Sequence, residues 1–215
     1  MARKPVIKKE DILSAAHKLF SEKGVDDTSV SDIVKEAHVA QGTFYNYYKS
    51  KDEIFAAVLE KATDNIIEKV RETAEADGLT PAEKIGKMVL TDFKINRTDD
   101  SLFAVLHEDR YAGAHQKYIV NRINKLKPIY AEVIRQGNKT GCFNTQFPEE
   151  AAAFFLVGTK FVFDPAFFTY DEKSMLKMVK AVDDFAERIL GAVPGTFTAE
   201  KMEQGIIDYF RSERK

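Results

Sequence analysis

Residues 29–51 read SVSDIVKEAHVAQGTFYNYYKSK, and this stretch decides the fold. Ser29 and Asp32 open it at the spacing of a capping box. In that arrangement the hydroxyl satisfies free N–H groups of a first helical turn, and the acid sits at the positive end of the helix dipole. A helix therefore begins at Val30. Val30, Ile33, Val34 and Ala37 share one apolar face, while Ser31, Lys35 and Glu36 face water. His38 falls where a left-handed turn residue is needed, and histidine tolerates positive φ better than a β-branched residue does. A second helix runs from Gln41 to Tyr47, with Phe44 and Tyr48 on its buried side beside Val39. Ser50 and Glu53 form another capping box, which opens the next helix at Lys51.

Two short helices joined by a tight turn are the layout of a DNA-reading helix-turn-helix. Gln41, Thr43, Tyr45, Asn46 and Tyr47 bring amide, hydroxyl and phenol groups to the outer side or its flanks, where they suit base edges and phosphates in a major groove. Ser29 and Ser31 stand beside them on the preceding helix, and Lys51 sits at an electropositive helix N-terminus suited to gripping a phosphate. Gly42 costs about 1 kcal/mol relative to Ala in a helix interior. That cost implies close approach of another backbone, either a neighbouring helix or DNA. The candidate DNA contacts are thus Ser29, Ser31, Gln41, Gly42, Thr43, Tyr45, Asn46, Tyr47 and Lys51.

From Ile12 to Leu59 the chain runs through ILSAAHKLFSEKG and then TSVSDIVKEAHVAQGTFYNYYKSKDEIFAAVL. This stretch resembles the tetracycline-repressor-like (TetR) family of bacterial transcriptional regulators, through Gly42, Thr43, Phe44, Tyr45, Tyr47, Tyr48, Lys49 and Lys51. Two positions depart from the family pattern. His38 replaces the usual turn glycine, and Ala40 replaces the usual Ser or Thr that caps the recognition helix, a cap worth roughly 0.5–2 kcal/mol. The resemblance implies an all-α chain. Its N-terminal three-helix DNA-binding domain would occupy residues 1–51 and its C-terminal helical ligand-binding and dimerisation domain residues 52–215, linked by a long helix from about residue 51. It also implies a homodimer that reads a near-palindromic double-stranded DNA operator as a repressor and is released by a small-molecule effector. In the family two late helices of each subunit form the dimer interface, here at about 149–168 and 173–190.

The rest of the chain reads as helix. Apolar positions mark a long helix from about Lys51 to Ala76, then one opened by Pro81 and carrying Ile85, Met88, Val89 and Phe93. Leu102, Phe103, Val105 and Leu106 form the next apolar group. A long segment follows from His115 to Asn138, which Pro128 is expected to kink or split. Glu149 to Phe163 is apolar on nearly every side and so must be covered from two directions. Asp171 to Leu190 shows a clear stripe, and a last helix is expected from Ala199 to Arg211. Two heads linked by a rigid interface gain from high effective concentration, which a single weakly charged head lacks.

The charge is unevenly shared. The chain carries a formal −2, but residues 1–51 hold nine Lys and Arg against seven acids, a net of +2. Four of those basic residues lie between Arg3 and Lys9, an arm that either reaches DNA or is a solvated tail. The single cysteine, Cys142, cannot form an internal disulfide, and no apolar run of membrane-spanning length or signal-peptide pattern is present. These features point to the cytoplasm and to no membrane partner.

The sixteen Phe and eight Tyr of the chain supply the material for an effector pocket. The candidates are Phe93, Asn96, Phe103, His107, Tyr111, Tyr118, Tyr130, Phe155, Thr159 and Phe163, with core packing as the competing role for each. An effector held by them would be largely apolar. The four histidines have no zinc-type partners, and no nucleophile elbow, phosphate loop or dinucleotide fingerprint occurs. No catalytic residue, metal site or cofactor is therefore expected. The alternative is an all-α small-molecule-binding or enzymatic protein in which the helix-turn-helix is only a packing module. That reading buries Gln41, Thr43, Tyr45, Tyr47 and Lys51; a DNA reader exposes them on one face.

Overall fold

The computed structural model describes residues 9–98, 102–103, 105–164 and 167–197, without the side chains of residues 92–98, 107 and 109. Eight helices and no strand are found among the described residues. They are α1 (Lys9–Lys23), α2 (Val30–Glu36), α3 (Gln41–Tyr45), α4 (Lys51–Glu75), α5 (Pro81–Thr98), α6 (Ala112–Thr140), α7 (Pro148–Val162) and α8 (Glu172–Leu190). Two single 3-10 turns, Val105–His107 and Asp109–Tyr111, precede α6. The helix expected at 199–211 lies outside the described residues.

The chain divides into two compact units, one drawn from residues 1–66 and 94–120, the other from 67–93 and 121–215. In the first, α1 supplies Ile12, Ala16 and Phe20, α2 supplies Ile33, α3 supplies Phe44, and α4 supplies Ile54, Phe55 and Val58, all buried. Phe20 and Phe55 meet edge to face at 5.7 Å. Each buried Ile, Val or Phe side chain contributes roughly 1.5–3 kcal/mol on full burial, so a few of them hold three short helices that would not persist alone. Gly24, at φ +87°, stops α1 and turns the chain toward α2. Thr28 is buried there, its hydroxyl donating to the Gly24 carbonyl at 2.7 Å.

In the second unit α6 is continuous through Pro128, which neither splits it nor ends it. Proline removes one backbone hydrogen bond. The surrounding Leu126, Ile129, Tyr130, Ala131, Val133 and Ile134 are buried, and their packing offsets that loss. α7 packs on α8; Ala151, Ala152 and Leu156 of α7 and Val179, Ala186 and Leu190 of α8 are buried. Gly191, at φ +63°, ends α8, and the Leu190 carbonyl accepts from Asn144 N–H at 2.8 Å. The buried Glu187 carboxylate accepts the N–H groups of Gly195 and Phe197, which folds residues 191–197 back so that Phe197 stacks on Phe143. Among the described residues the all-round apolarity of α7 is not fully covered. Phe154 is 69 % exposed, Val157 42 %, and Phe185 on α8 55 %.

Candidate nucleic-acid interface

The geometry of the head follows its local signals closely. Ser29 caps α2 with a complete box: its hydroxyl accepts Asp32 N–H at 3.1 Å, and the Asp32 carboxylate accepts Ser29 N–H at 2.9 Å. That carboxylate also takes the Lys23 ammonium at 2.9 Å, tying α2 to α1. The Lys23 bond first, then the Ser29 N–H and hydroxyl, holds the Asp32 carboxyl well below the usual carboxylate range. Lys18 and Glu36 make a second tie between the two helices at 2.6 Å, and the bond lowers the Glu36 pKa. Both pairs are solvent-exposed, so they orient the helices more than they stabilise them.

Between α2 and α3 the chain turns through His38, at φ +54°, the one non-glycine residue with positive φ among those described. Its backbone N–H donates to Lys35 O, and Val39 N–H reaches Val34 O at 2.9 Å. The turn thus satisfies the carbonyls at the end of α2 without the glycine that the position favours. Ala40 has the extended backbone of an N-cap, φ −74° and ψ 148°, but offers no side-chain acceptor. α3 is shorter than the Gln41–Tyr47 span expected from sequence. It ends at Tyr45, after which Tyr47 and Tyr48 both donate their N–H to Phe44 O at 2.9 Å.

The residues sort onto two sides as amphipathic spacing requires. Phe44 and Tyr48 are buried and in tilted ring contact at 5.8 Å. Gln41, Gly42, Asn46, Tyr45 and Tyr47 are exposed, the last two at 51 % and 42 %, and Thr43 is half-buried. Ser31 is exposed as well, whereas the Ser29 hydroxyl is engaged in its cap. Gly42 has open space where a side chain would project, with no atom within 4 Å of an added Cβ. Close approach of a neighbouring helix is therefore not the reason for this glycine.

Lys51 is the departure from expectation. Its ammonium donates to the Val25 and Asp26 carbonyls at 2.8 and 3.1 Å, so two of its three donors already serve the α1–α2 turn. Lys49 next to it is exposed. The Ser50 box also forms with a shift: Glu53 N–H donates to the Ser50 hydroxyl at 3.1 Å, but the Glu53 carboxylate accepts from Lys49 N–H rather than from Ser50.

Residues 12–58 match the model of the tetR family of bacterial regulatory proteins, and residues 94–185 match that of the tetracyclin repressor-like C-terminal domain. The chain is 30 % identical to the fatty acid metabolism regulator protein of Bacillus subtilis over 59 % of its own length and 68 % of that protein. The chain belongs to the TetR family. It is also 25 % identical to the transcriptional repressor KstR2 of Rhodococcus jostii, over 72 % of this chain and 77 % of that one. In fold it is similar to a putative TetR-family regulator from Mesorhizobium loti, with a TM-score of 0.60 at 17 % identity over 86 % of this chain and 96 % of that one.

The side chains expected to form a TetR-type effector pocket are placed in two groups. Phe103, Tyr111 and Tyr118 belong to the first compact unit, where Phe103 and Tyr118 are buried in ring contact at 5.4 Å. Tyr111 donates its hydroxyl to Asp26, in the turn after α1, at 3.0 Å. Tyr130, Phe155, Thr159 and Phe163 belong to the second unit. Tyr130 is fully buried, 6.2 Å from the Phe155 ring, and the Thr159 hydroxyl is turned back onto the Phe155 carbonyl at 2.7 Å. The side chains of Phe93, Asn96 and His107 lie outside those described. Sequence reasoning missed Arg122, buried in α6 near Tyr130, where burial lowers the guanidinium pKa to about 10. Among the described residues no group of three or more His, Cys, Asp or Glu could hold a metal ion, and no helix is long and apolar enough to cross a membrane.

Proposed function

We propose that the chain is a ligand-responsive transcriptional repressor that binds a near-palindromic operator as a homodimer. One observation carries the reading: α3 and the turn after it expose Gln41, Tyr45, Asn46 and Tyr47 while burying Phe44 and Tyr48. A packing module would bury the polar and phenolic groups too. Gly42, exposed with nothing above it, leaves room for a phosphate backbone or base edge to come close. Relatives named as a transcriptional repressor and as a fatty acid metabolism regulator support the regulatory role.

A second copy supplies the cover that α7 and α8 lack, through Phe154, Val157 and Phe185. Pairing places two heads on successive major grooves, and the dimer fixes the half-site spacing. The effector is small and largely apolar, recognised in the second unit around Tyr130, Phe155, Thr159 and Phe163. The name of the fatty acid regulator is in keeping with such chemistry. Release follows if the effector favours a conformer with differently spaced heads, limited by its differential affinity for the two states. The protein acts in the cytoplasm and is no enzyme. The test is binding of the purified chain to DNA flanking its own gene across a range of salt. Saturable binding that weakens with salt is expected, and equal weak binding to every fragment overturns the reading.

A further inference from the structure

The turn between α1 and α2 is gripped from two directions by residues distant in sequence. From α4, Lys51 holds the Val25 and Asp26 carbonyls. From the 3-10 turn Asp109–Tyr111, the Arg110 guanidinium and the Tyr111 hydroxyl both donate to the Asp26 carboxylate, one to each oxygen. Arg110 is steadied by Glu108 at 2.6 Å, and the Tyr111 ring meets Phe55 edge-on at 5.3 Å. Phe55 in turn packs on Phe20 in the core of the head. All of these residues belong to the first compact unit.

An exposed ion pair by itself contributes little. Here, however, one carboxylate is shared by a guanidinium and a phenol, and the phenol's ring is anchored on a buried aromatic. Burial and the bond to Asp26 push the Tyr111 hydroxyl up to about 12, so it stays protonated and donating at neutral pH. Asp26 stands three residues before Ser29, the cap of α2. Where the turn is held therefore sets where α2 starts, and α3 follows from it before the chain reaches Lys51.

Resting on the DNA-binding reading above, we propose that Asp26, Arg110 and Tyr111 form a clasp that positions the α2–α3 reading head for the operator. The three are positioning residues: they act through the α1–α2 turn rather than by touching a base. Opening the clasp leaves every groove-facing side chain in place but lets the pair of helices shift on the rest of the unit. A misaligned head loses directional contacts while keeping its charges. Affinity for the operator therefore falls, and the salt slope, which counts neutralised phosphates, does not.

The experiment uses full-length protein and an operator fragment found by footprinting, with affinity measured by fluorescence anisotropy at several salt concentrations. Arg110→Ala, Asp26→Asn, their double variant and Tyr111→Phe are compared with the parent chain. Tyr111→Phe keeps the ring on Phe55 and removes only one donor, so it retains the fold. Arg110→Ala and Asp26→Asn are each expected to weaken binding about tenfold, the double variant no more than the weaker single, and Tyr111→Phe a few-fold. Salt slopes stay at the parent value. A slope lower by about one in Arg110→Ala makes it a phosphate contact and overturns the clasp. Losses that multiply in the double variant, or parent-like affinity in both singles, overturn it as well. Failure of the parent chain to bind any fragment would remove the DNA-binding reading itself, and the clasp's role with it.

Discussion

Replacing Gly42 by alanine separates the two reasons a recognition helix can hold a glycine. The residue is helical and exposed, and an added Cβ meets no atom within 4 Å, so the methyl group strains nothing within the chain. Glycine costs about 0.5–1 kcal/mol relative to alanine through its backbone entropy. Gly42→Ala should therefore stabilise the protein by up to about 1 kcal/mol, a rise of roughly 2–4 °C in thermal midpoint for a chain of this size. If the bare backbone is kept so that DNA can approach, the same methyl group pushes the duplex away. Operator affinity should then drop at least about tenfold, or 1.4 kcal/mol. Calorimetry and anisotropy on one preparation read both quantities. A variant that is more stable and binds as well as the parent would refute the argument, because Gly42 would then serve neither packing nor DNA.

Four further perturbations follow from particular contacts. Ala40→Ser adds the acceptor missing from a position that already has N-cap backbone geometry, and should raise stability by about 0.5–1 kcal/mol in denaturant titration. Lys51→Ala removes two hydrogen bonds to the α1–α2 turn and should cost about 1–2 kcal/mol, so its loss of operator binding comes with a lower thermal midpoint. Asp32→Asn tests the cap through pH. A carboxyl with a depressed pKa in the folded state contributes stability above its ordinary value and loses it as pH falls through the folded value. The midpoint gap between parent and variant should thus be constant from about pH 8 to 5, begin to narrow near about pH 4, and close only as pH falls to the depressed folded value. Phe154→Asp places a charge on the uncovered face of α7 and should yield a helical monomer in light scattering, with operator affinity reduced more than tenfold.

The head was legible because its signals are local. The Ser29 box, the left-handed His38 and the uncapped Ala40 each depend on residues within four positions, and each forms as the spacing dictates. The length of α3 was not, since the hydrogen bonds that close it after Tyr45 form a turn whose residues keep the same apolar period as the helix. Nor was the occupation of Lys51: its partners lie 25 and 26 residues away, and nothing in the local sequence marks a carbonyl as its acceptor. The continuity of α6 through Pro128 depended on the burial of Leu126, Ile129, Tyr130, Ala131, Val133 and Ile134, a tertiary effect that outweighs the local breaker. Tyr111 shows the same limit. An aromatic residue in a mostly apolar region reads as a pocket wall, yet its hydroxyl finds a carboxylate 85 residues earlier in the chain.

The claim that α3 and the turn after it read DNA is tested most directly by comparing Tyr47→Ala with the parent chain on an operator fragment and on an unrelated fragment of equal length. Tyr47 is exposed and outside the core, so the substitution leaves stability within about 0.5 kcal/mol. The account predicts that the parent prefers its operator by at least about a thousandfold and that Tyr47→Ala loses much of that preference with its thermal midpoint unchanged. A parent chain that binds both fragments alike, or a variant that keeps the full preference, would contradict it.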